Sequence, residues 1–299
     1  MRTIYKYLFV WCFLSVGGDL FSQSKPRPLF KFGIIADVQY ADRENNKTRH
    51  YRSSLNKLSE AVDVFNEEKV GFVINLGDFI NDNFQSFDTL ISITDKLNMH
   101  LYHVLGNHDF SVGEDKKDEI LRKLDMKKKY YSFEKKGWRI IVLNGVDISL
   151  IANAKGSREY KDGEEIYNKL EKEGVPNAKT WNGTLGSDQL NWLKKELLIS
   201  DKKNQEVIIL CHFPLYPENS AQILWSPIEI RNIIESHANV KAYLNGHVHE
   251  SQYFSENNMN YVSFKGMVEK EENAFAIISV FEDHLEIKGY RKEVDRILK

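Results

Sequence analysis

Acidic, amide and imidazole side chains follow five short apolar runs of this 299-residue sequence. Each of them offers an oxygen or nitrogen lone pair, and a set gathered at one place can bind divalent metal ions. A single Gly-Asp or Gly-Asn-His turn is ordinary, because Asp and Asn favour turns by bonding their own backbone. Their recurrence after five runs favours a metal site over five unrelated turns. The metal candidates are Asp37, Gln39, Asp78, Asn107, His212, His247 and His249.

Strand-length apolar runs rich in Val, Ile and Leu precede these residues, and amphipathic stretches separate the runs. This alternation predicts an α/β fold, and nearly continuous apolar strands indicate sheets that are covered on both faces. In open α/β sheets, ligands bind beyond the carboxyl ends of the strands, so the candidate residues should converge there. The runs cover residues 31–37, 71–78, 101–109, 138–145, 206–214 and 240–249.

Three amphipathic stretches predict helices. The first covers residues 49–68 and places Tyr51 on its apolar face. The second begins with Ser187 as its N-cap, and the third has Pro227 in its first turn. The polar stretch Asn153 to Asn182 predicts a loop that contains a helix and lies outside the core, where it could cover an active site.

Residues 261–267, 274–283 and 284–290 predict strands with no helices between them, and we expect them to be antiparallel. Residues 24–299 contain no linker rich in Pro, Gly and Ser after Pro28, so they predict a single domain. Five histidines stand outside any motif and are expected to be structural or exposed. These are His50, His100, His103, His237 and His284.

The N-terminus has the charge pattern of a secretory signal peptide, expected over residues 1–23. Arg2 and Lys6 precede an apolar run from Tyr7 to Val16, and small and polar residues follow. About ten apolar residues are too few to span a bilayer comfortably, although an N-terminal anchor or a buried helix is an alternative. The pattern predicts export to the periplasm or the medium, with no stable membrane anchor after the signal is removed.

The formal net charge of −2 gives no indication of a nucleic acid polymer or an anionic membrane as partner. Cys12 lies within the expected signal peptide, so Cys211 would stand alone in the mature chain without an intramolecular disulfide. The sequence does not indicate an oligomeric state.

The series D-x-Q, GD, GNHD, H and GHVH resembles the calcineurin-like metallophosphoesterase family. That family usually has His two residues after the first Asp, where this chain has Gln39. This departure, together with "RHYRSSL", "WNGTLGSDQLNWL" and "HFPLYP", resembles the branch of manganese-dependent ADP-ribose/CDP-alcohol diphosphatases. The resemblance runs from about Phe30 to the C-terminus. It implies a two-sheet β-sandwich flanked by helices, with two metal ions at the strand ends.

The resemblance also implies roles for the individual residues. His108 would face the substrate and stabilise or protonate the leaving oxygen, and Asp109 would orient His108. Asp78 would bridge two divalent metal ions, for which manganese is expected and magnesium, iron or zinc are alternatives. One ion would be held by Asp37, Gln39, Asp78 and His249, and the other by Asp78, Asn107, His212 and His247.

Gln39 would bring an amide oxygen to the first ion, and oxygen ligands suit Mn²⁺ and Mg²⁺ better than Zn²⁺. In an alternative interpretation, Gln39 only forms a hydrogen bond with one of the ligands.

The expected reaction is hydrolysis of the diphosphate linkage in a small nucleotide derivative, by in-line attack of a hydroxide that bridges the metals. ADP-ribose and CDP-alcohols such as CDP-choline or CDP-glycerol are the substrates that the resemblance implies. A phosphodiesterase acting on cyclic nucleotides or glycerophosphodiesters, a phosphomonoesterase, and a binding protein that has lost catalysis are alternatives. Candidate substrate contacts are Tyr40, Arg43, Tyr51, Arg52, Phe110, Phe213 and Tyr216.

Overall fold

The computed structural model describes residues 26–299, so the predicted signal peptide lies outside the described residues. Two six-stranded sheets face each other, helices cover their outer faces, and a short two-stranded sheet lies apart. The predicted two-sheet sandwich flanked by helices is confirmed. Within residues 26–299, no helix is long and apolar enough to cross a bilayer.

The helices are α1 (Ser54–Glu67), α2 (Ser86–Thr94), α3 (Ile120–Lys123), α4 (Arg158–Glu173), α5 (Ser187–Lys202) and α6 (Pro227–Glu235), with short 3₁₀ helices at His108–Phe110 and Glu114–Glu119. The strands are β1 (Phe30–Ile35), β2 (Val73–Asn75), β3 (Leu101–His103), β4 (Tyr131–Lys135), β5 (Trp138–Val142), β6 (Ile148–Ser149), β7 (Gly183–Thr184), β8 (Glu206–Leu210), β9 (Val240–Asn245), β10 (Gln252–Glu256), β11 (Met259–Ser263), β12 (Ala274–Val280), β13 (Leu285–Arg291) and β14 (Arg296–Leu298).

Parallel strands form the part of each sheet that leads to the candidate residues. The first sheet has the order β14-β13-β12-β1-β2-β3, in which β1, β2 and β3 are parallel. The second has the order β10-β11-β9-β8-β5-β4, in which β5, β8, β9 and β11 are parallel. The carboxyl ends of parallel strands share one edge of their sheet, so the loops that follow them are neighbours.

Alternate residues along each strand serve two apolar layers. Ile34 of β1 and Ile208 of β8 point between the sheets, whereas Ile35 and Ile209 pack beneath the helices. Because side chains alternate across a strand, one continuous apolar run supplies both layers. The expectation of sheets covered on both faces is confirmed, and this packing fixes the direction in which each strand end points.

Two of the predicted helix starts are wrong. Helix α1 begins at Ser54 rather than Arg49, because His50 and Lys270 bind the backbone of Val268 and Thr48. That pairing keeps the preceding segment extended. Helix α5 has Gly186 rather than Ser187 as its N-cap. The predicted start of α6 at Pro227 is confirmed.

The expectation for the C-terminal strands is partly wrong. Strands β12 and β13 are antiparallel neighbours, as predicted, and the unpredicted strand β14 pairs antiparallel with β13. Strand β11, however, is parallel to β9, because β10 intervenes and turns the chain back between them. The Asn153 to Asn182 stretch contains α4, as predicted, and it ends directly before β7 of the two-stranded sheet. Its closure over a site stays a prediction.

Candidate dinuclear metal site

The loops after β1, β2, β3, β8 and β9 bring the predicted metal ligands into one buried cluster. Asp37 Oδ1 lies 3.3 Å from His249 Nε2, and Asp78 Oδ2 lies 3.2 Å from His212 Nε2. Gln39 Nε2 connects the two pairs, at 3.1 Å from both Asp78 Oδ2 and His249 Nε2. One ligand atom each of Asp78, His212 and His247 lies within 4.8 Å of the others.

Three polar atoms of this cluster are buried without a hydrogen-bond partner, namely Gln39 Oε1, Asn107 Oδ1 and His247 Nε2. Burying a polar atom unpaired costs free energy, so unpaired buried atoms are uncommon in folded proteins. Three of them in one cluster of carboxylates and imidazoles match the donor set that binds divalent cations. The residues present therefore fit a metal centre.

The carboxylates favour positive charge in this cluster. Burial opposes a charge on His212, but Asp78, with Asp37 and the carbonyl of Leu76, outweighs burial and raises the pKa of His212 to about 9. In the same way, Asp37 and Glu269 overcome burial and raise the pKa of His249 to about 9. Burial lowers the pKa of His247 well below its ordinary value, so its ring keeps a lone pair. A bound cation would satisfy the same carboxylates that otherwise favour protons.

Five of the predicted ligands adopt the left-handed backbone region, which is costly for residues other than glycine. Their φ angles are 50° for Asp37, 40° for Gln39, 52° for Asp78, 70° for His247 and 59° for His249. Strained residues persist only where the surrounding structure over-determines them, and they concentrate at functional sites. The fold thus holds these ligands in place by tight turns after β1, β2 and β9.

Gly77 and Gly106 make the close approach of these turns possible. A Cβ atom on Gly106 would lie 2.2 Å from Asp78 Oδ1, and one on Gly77 would lie 2.7 Å from His212 Nδ1. The φ of Gly77 is also +97°, which side chains rarely tolerate. The glycines in the "LGD" and "GNHD" motifs therefore let the two loops pack against each other.

His108 extends from a 3₁₀ turn into the open side of the cluster. Its Nδ1 lies 2.8 Å from the carbonyl oxygen of Asn81. Because a carbonyl only accepts hydrogen bonds, Nδ1 carries a hydrogen and Nε2 is left to face the cavity. The backbone N–H of His108 also donates to Asp78 Oδ1 at 2.7 Å, which ties the turn to the metal cluster.

The prediction that Asp109 orients His108 is wrong. The Asp109 carboxylate is fully buried and accepts backbone N–H groups of Asp78, Phe79 and Gly106 at 3.1, 2.8 and 2.9 Å. Since these bonds turn the carboxylate away from the histidine ring, Asn81 orients His108 instead. Asp109 positions the loop that carries Asp78 and does not contact a reacting group.

A cavity of about 360 Å³ opens on the metal cluster. Five predicted metal ligands line this cavity, namely Gln39, Asp78, Asn107, His247 and His249, and so does His108. The remaining lining residues, which we call the outer wall, are Arg49, Ser111, Ile151, Trp181 and Gln222. Metal ligands, the candidate acid and an unpredicted outer wall therefore share one space.

The structure does not place the predicted substrate contacts among the lining residues of this cavity. Arg43 pairs with Asp82, and Arg52 pairs with Asp42 and Glu44 in a separate surface group. The aromatic residues pack in or against the core, because apolar rings near the loops gain more by burial. These are Tyr40, Tyr51, Phe110 and Phe213, all buried, and Tyr216, whose ring lies under Arg231.

Trp181 and Glu269 are two of the residues at the site that the sequence did not predict. Trp181 is 41% exposed, and its Nε1 donates to Gln222 Oε1 at 3.2 Å across the cavity wall. Glu269 Oε1 lies 2.7 Å from His249 Nδ1. Trp181 stands in the "WNGTLG" stretch that carries part of the family resemblance, which was a usable signal. Glu269 lies in a segment of mixed polarity with no motif.

The profile of the calcineurin-like phosphoesterase family matches residues 30–251. This range holds every predicted metal ligand and His108, and it contains β1 to β9, which include all the parallel strands that lead to the site. The chain therefore belongs to the calcineurin-like phosphoesterase family and is a metal-dependent hydrolase.

Similarity to individual proteins extends over most of the chain. The chain is 31% identical over 300 residues to a manganese-dependent ADP-ribose/CDP-alcohol diphosphatase from Arabidopsis thaliana, covering 88% of this chain and 94% of the relative. It is 29% identical to the protein of that name from Xenopus laevis, covering 93% and 92%. A crystal structure of a dimetal phosphatase from Danio rerio superposes with a TM-score of 0.84 at 26% identity, covering 91% of this chain and 99% of that chain.

Proposed function

We propose that this protein is a manganese-dependent diphosphatase that hydrolyses the diphosphate linkage of small nucleotide derivatives, with ADP-ribose and CDP-alcohols as the substrate class. The observation that carries the proposal is the shared cavity, which is lined by metal-binding groups, His108, Arg49 and Trp181. The names of the Arabidopsis and Xenopus relatives support the choice of substrate and metal. The products would be a nucleoside monophosphate and a phosphorylated alcohol or sugar.

Asp37, Gln39, Asp78 and His249 would hold one Mn²⁺, and Asp78, Asn107, His212 and His247 would hold the other. When bound, a metal pair neutralises phosphate charge and supplies a nucleophile near neutral pH. Gln39 would contribute an oxygen ligand. If its amide group rotated by half a turn, the amide oxygen would lie where Nε2 now contacts Asp78 and His249. Oxygen at that position suits Mn²⁺.

His108 would donate a proton to the leaving oxygen through Nε2. Asn81 O fixes the ring by accepting from Nδ1, so Nε2 is the nitrogen that can exchange a proton with a substrate. The bond from the His108 backbone to Asp78 Oδ1 sets the distance between this acid and the metal cluster. General acids that are held in this way contribute about 10²–10⁴-fold in rate.

The outer wall would select a substrate with a second phosphate and a flat ring. Arg49 presents a guanidinium group, which binds phosphate oxygens through parallel N–H donors. The exposed face of Trp181 offers a stacking surface for a nucleobase. A diphosphate with a base on one side matches this arrangement better than a small monoester does.

The test is a comparison of ADP-ribose, CDP-choline and bis-p-nitrophenyl phosphate, each with Mn²⁺, Mg²⁺ or Zn²⁺ added to metal-stripped protein. We expect Mn²⁺-dependent release of AMP and CMP, well ahead of the generic diester. Activity on the generic diester alone would make the protein a phosphodiesterase and overturn the substrate assignment. An inert protein that still binds two metal ions would make it a binding protein.

His108→Ala separates chemistry from metal binding in the same assay. We expect this variant to lose at least about 100-fold in kcat while still binding two Mn²⁺ ions in calorimetry. Arg122→Ala removes an exposed basic side chain from the surface and should behave as wild type. Unchanged kcat in His108→Ala would remove the proposed acid.

A further inference from the structure

The segment Gly266–Lys270 runs directly along the metal loops, although it follows the second sheet in the chain. Met267 N donates to Ala36 O at 2.9 Å, and Val268 N donates to Asp37 O at 3.0 Å. A Cβ on Gly266 would lie 2.8 Å from His249 Cγ, so this segment also packs against the histidine ring. Residues in this segment are therefore fixed relative to both Asp37 and His249.

Buried Lys57 of α1 fastens the same segment. Its Nζ donates to Met267 O at 2.8 Å and to Lys270 O at 2.5 Å. On the other side, Lys292 donates to the carbonyl oxygen of Glu269. A lysine costs free energy to bury unless its hydrogens are bonded, and here the bonds hold the backbone on both sides of Glu269.

The side chain of Glu269 faces two groups with separate tasks. Its Oε1 lies 2.7 Å from His249 Nδ1 and 3.8 Å from Arg49 Nε. The other ring nitrogen of His249 points to Asp37, and Arg49 lines the cavity. Arg49 and Glu269 also pair through their backbones in an isolated β-bridge. One carboxylate therefore contacts a metal-binding histidine and a cavity-lining arginine at once.

We propose that Glu269 is a positioning residue that couples metal binding to the binding of the substrate's second anionic group. It directs His249 Nε2 toward the metal by accepting from Nδ1, and it holds Arg49 on the cavity wall by charge. This inference rests on the proposed function for its substrate half, whereas its metal half depends only on the cluster. Carboxylates that bond the far nitrogen of a metal-binding histidine are known to orient the ring.

Two substitutions at Glu269 separate the two contacts. Glu269→Gln keeps an oxygen that accepts from His249 but removes the charge that attracts Arg49. Glu269→Ala removes both. We therefore expect Mn²⁺ affinity to fall about 10–100-fold in Glu269→Ala and to stay within about threefold of wild type in Glu269→Gln. Both variants should raise KM for ADP-ribose about threefold to fivefold, the range of a partly exposed ion pair.

The experiment is calorimetric Mn²⁺ titration of the metal-stripped full chain, followed by kinetics, for both variants and for Glu272→Gln. Glu272 is exposed near the segment and serves as the control, which should match wild type. Arg49→Ala combined with Glu269→Gln should raise KM no further than Arg49→Ala alone. Rescue of Mn²⁺ affinity by Gln relative to Ala is the result that general loss of structure would not give.

Wild-type Mn²⁺ affinity in Glu269→Ala would overturn the metal half, and so would an equal loss in both variants. Additive KM effects in the double variant would overturn the coupling to Arg49. If the wild-type protein does not hydrolyse ADP-ribose or CDP-choline, the proposed function fails, while the titrations still decide the role of Glu269 at the metal.

Discussion

Mild acid should destabilise this protein through His103, a buried histidine that no motif marks. It ends β3, is only 7% exposed, and accepts a hydrogen bond at Nδ1 from Asn75 Nδ2 at 3.2 Å. The ring of Phe79 packs against it edge-on at 5.4 Å. Burial, aided by the charge of His100, lowers the pKa of His103 to about 3. The folded protein therefore needs this ring neutral.

The sign and size of the effect follow from proton linkage. An unfolded histidine has a pKa of about 6.5, so below that pH the unfolded state binds a proton that folded His103 does not. Stability from this group is fully present above pH 6.5 and is lost as the pH falls toward 3. At pH 5 the unfolded pKa is about 1.5 units above the solution pH, which is a loss of about 2 kcal/mol. The pKa of His103 in the folded state hardly affects this loss at pH 5, provided that it stays below about 4.

The assay is urea unfolding of metal-stripped wild type and His103→Gln at pH 7.5 and pH 5.0. Gln keeps an acceptor for Asn75 but does not titrate. We expect the free energy of unfolding to fall about 2 kcal/mol more on acidification in wild type than in the variant. His284→Gln, which removes a histidine beside Asp283 at the surface, should follow wild type. Equal losses in wild type and His103→Gln would refute the reasoning.

Three further substitutions test how the metal cluster is held. Gly106→Ala should weaken Mn²⁺ binding at least about tenfold in calorimetry, because its Cβ would lie 2.2 Å from Asp78 Oδ1; wild-type affinity would contradict this. Gln39→His should shift the metal that supports the highest kcat from Mn²⁺ toward Zn²⁺, and an unchanged order of metals would show that Gln39 does not bind the ion. Asp109→Ala should lower the free energy of unfolding by at least about 3 kcal/mol in urea, since it leaves several buried backbone N–H groups unpaired; a smaller loss would mean that water replaces the carboxylate.

The strand ends could be predicted because each depends on local sequence. A run such as "FGIIAD" predicts a buried strand and also contains the polar residue that follows it. Parallel pairing then places the ends of β1, β2 and β3 at one edge without further information. The structure accordingly brings Asp37, Asp78 and the residues after them together.

The outer wall could not be predicted, because it depends on pairing between distant segments. Arg49 reaches the cavity since Thr48 and His50 bond to Lys270 and Val268, more than 200 residues away. The sequence pointed instead to Tyr51 and Arg52, because they lie close along the chain to the first metal loop. The same limit applies to Asp109: the sequence places it beside His108, but only the fold shows that its carboxylate turns toward Gly106 and the loop after β2.

The most direct test of the central claim is anomalous diffraction from crystals grown with Mn²⁺, measured at the manganese edge. We expect two peaks about 3.5–4 Å apart, both at coordination distance from Asp78. One should contact Asp37, Gln39 and His249, and the other Asn107, His212 and His247. A single peak, or two peaks that do not share Asp78, would contradict the dinuclear centre on which the proposed function rests.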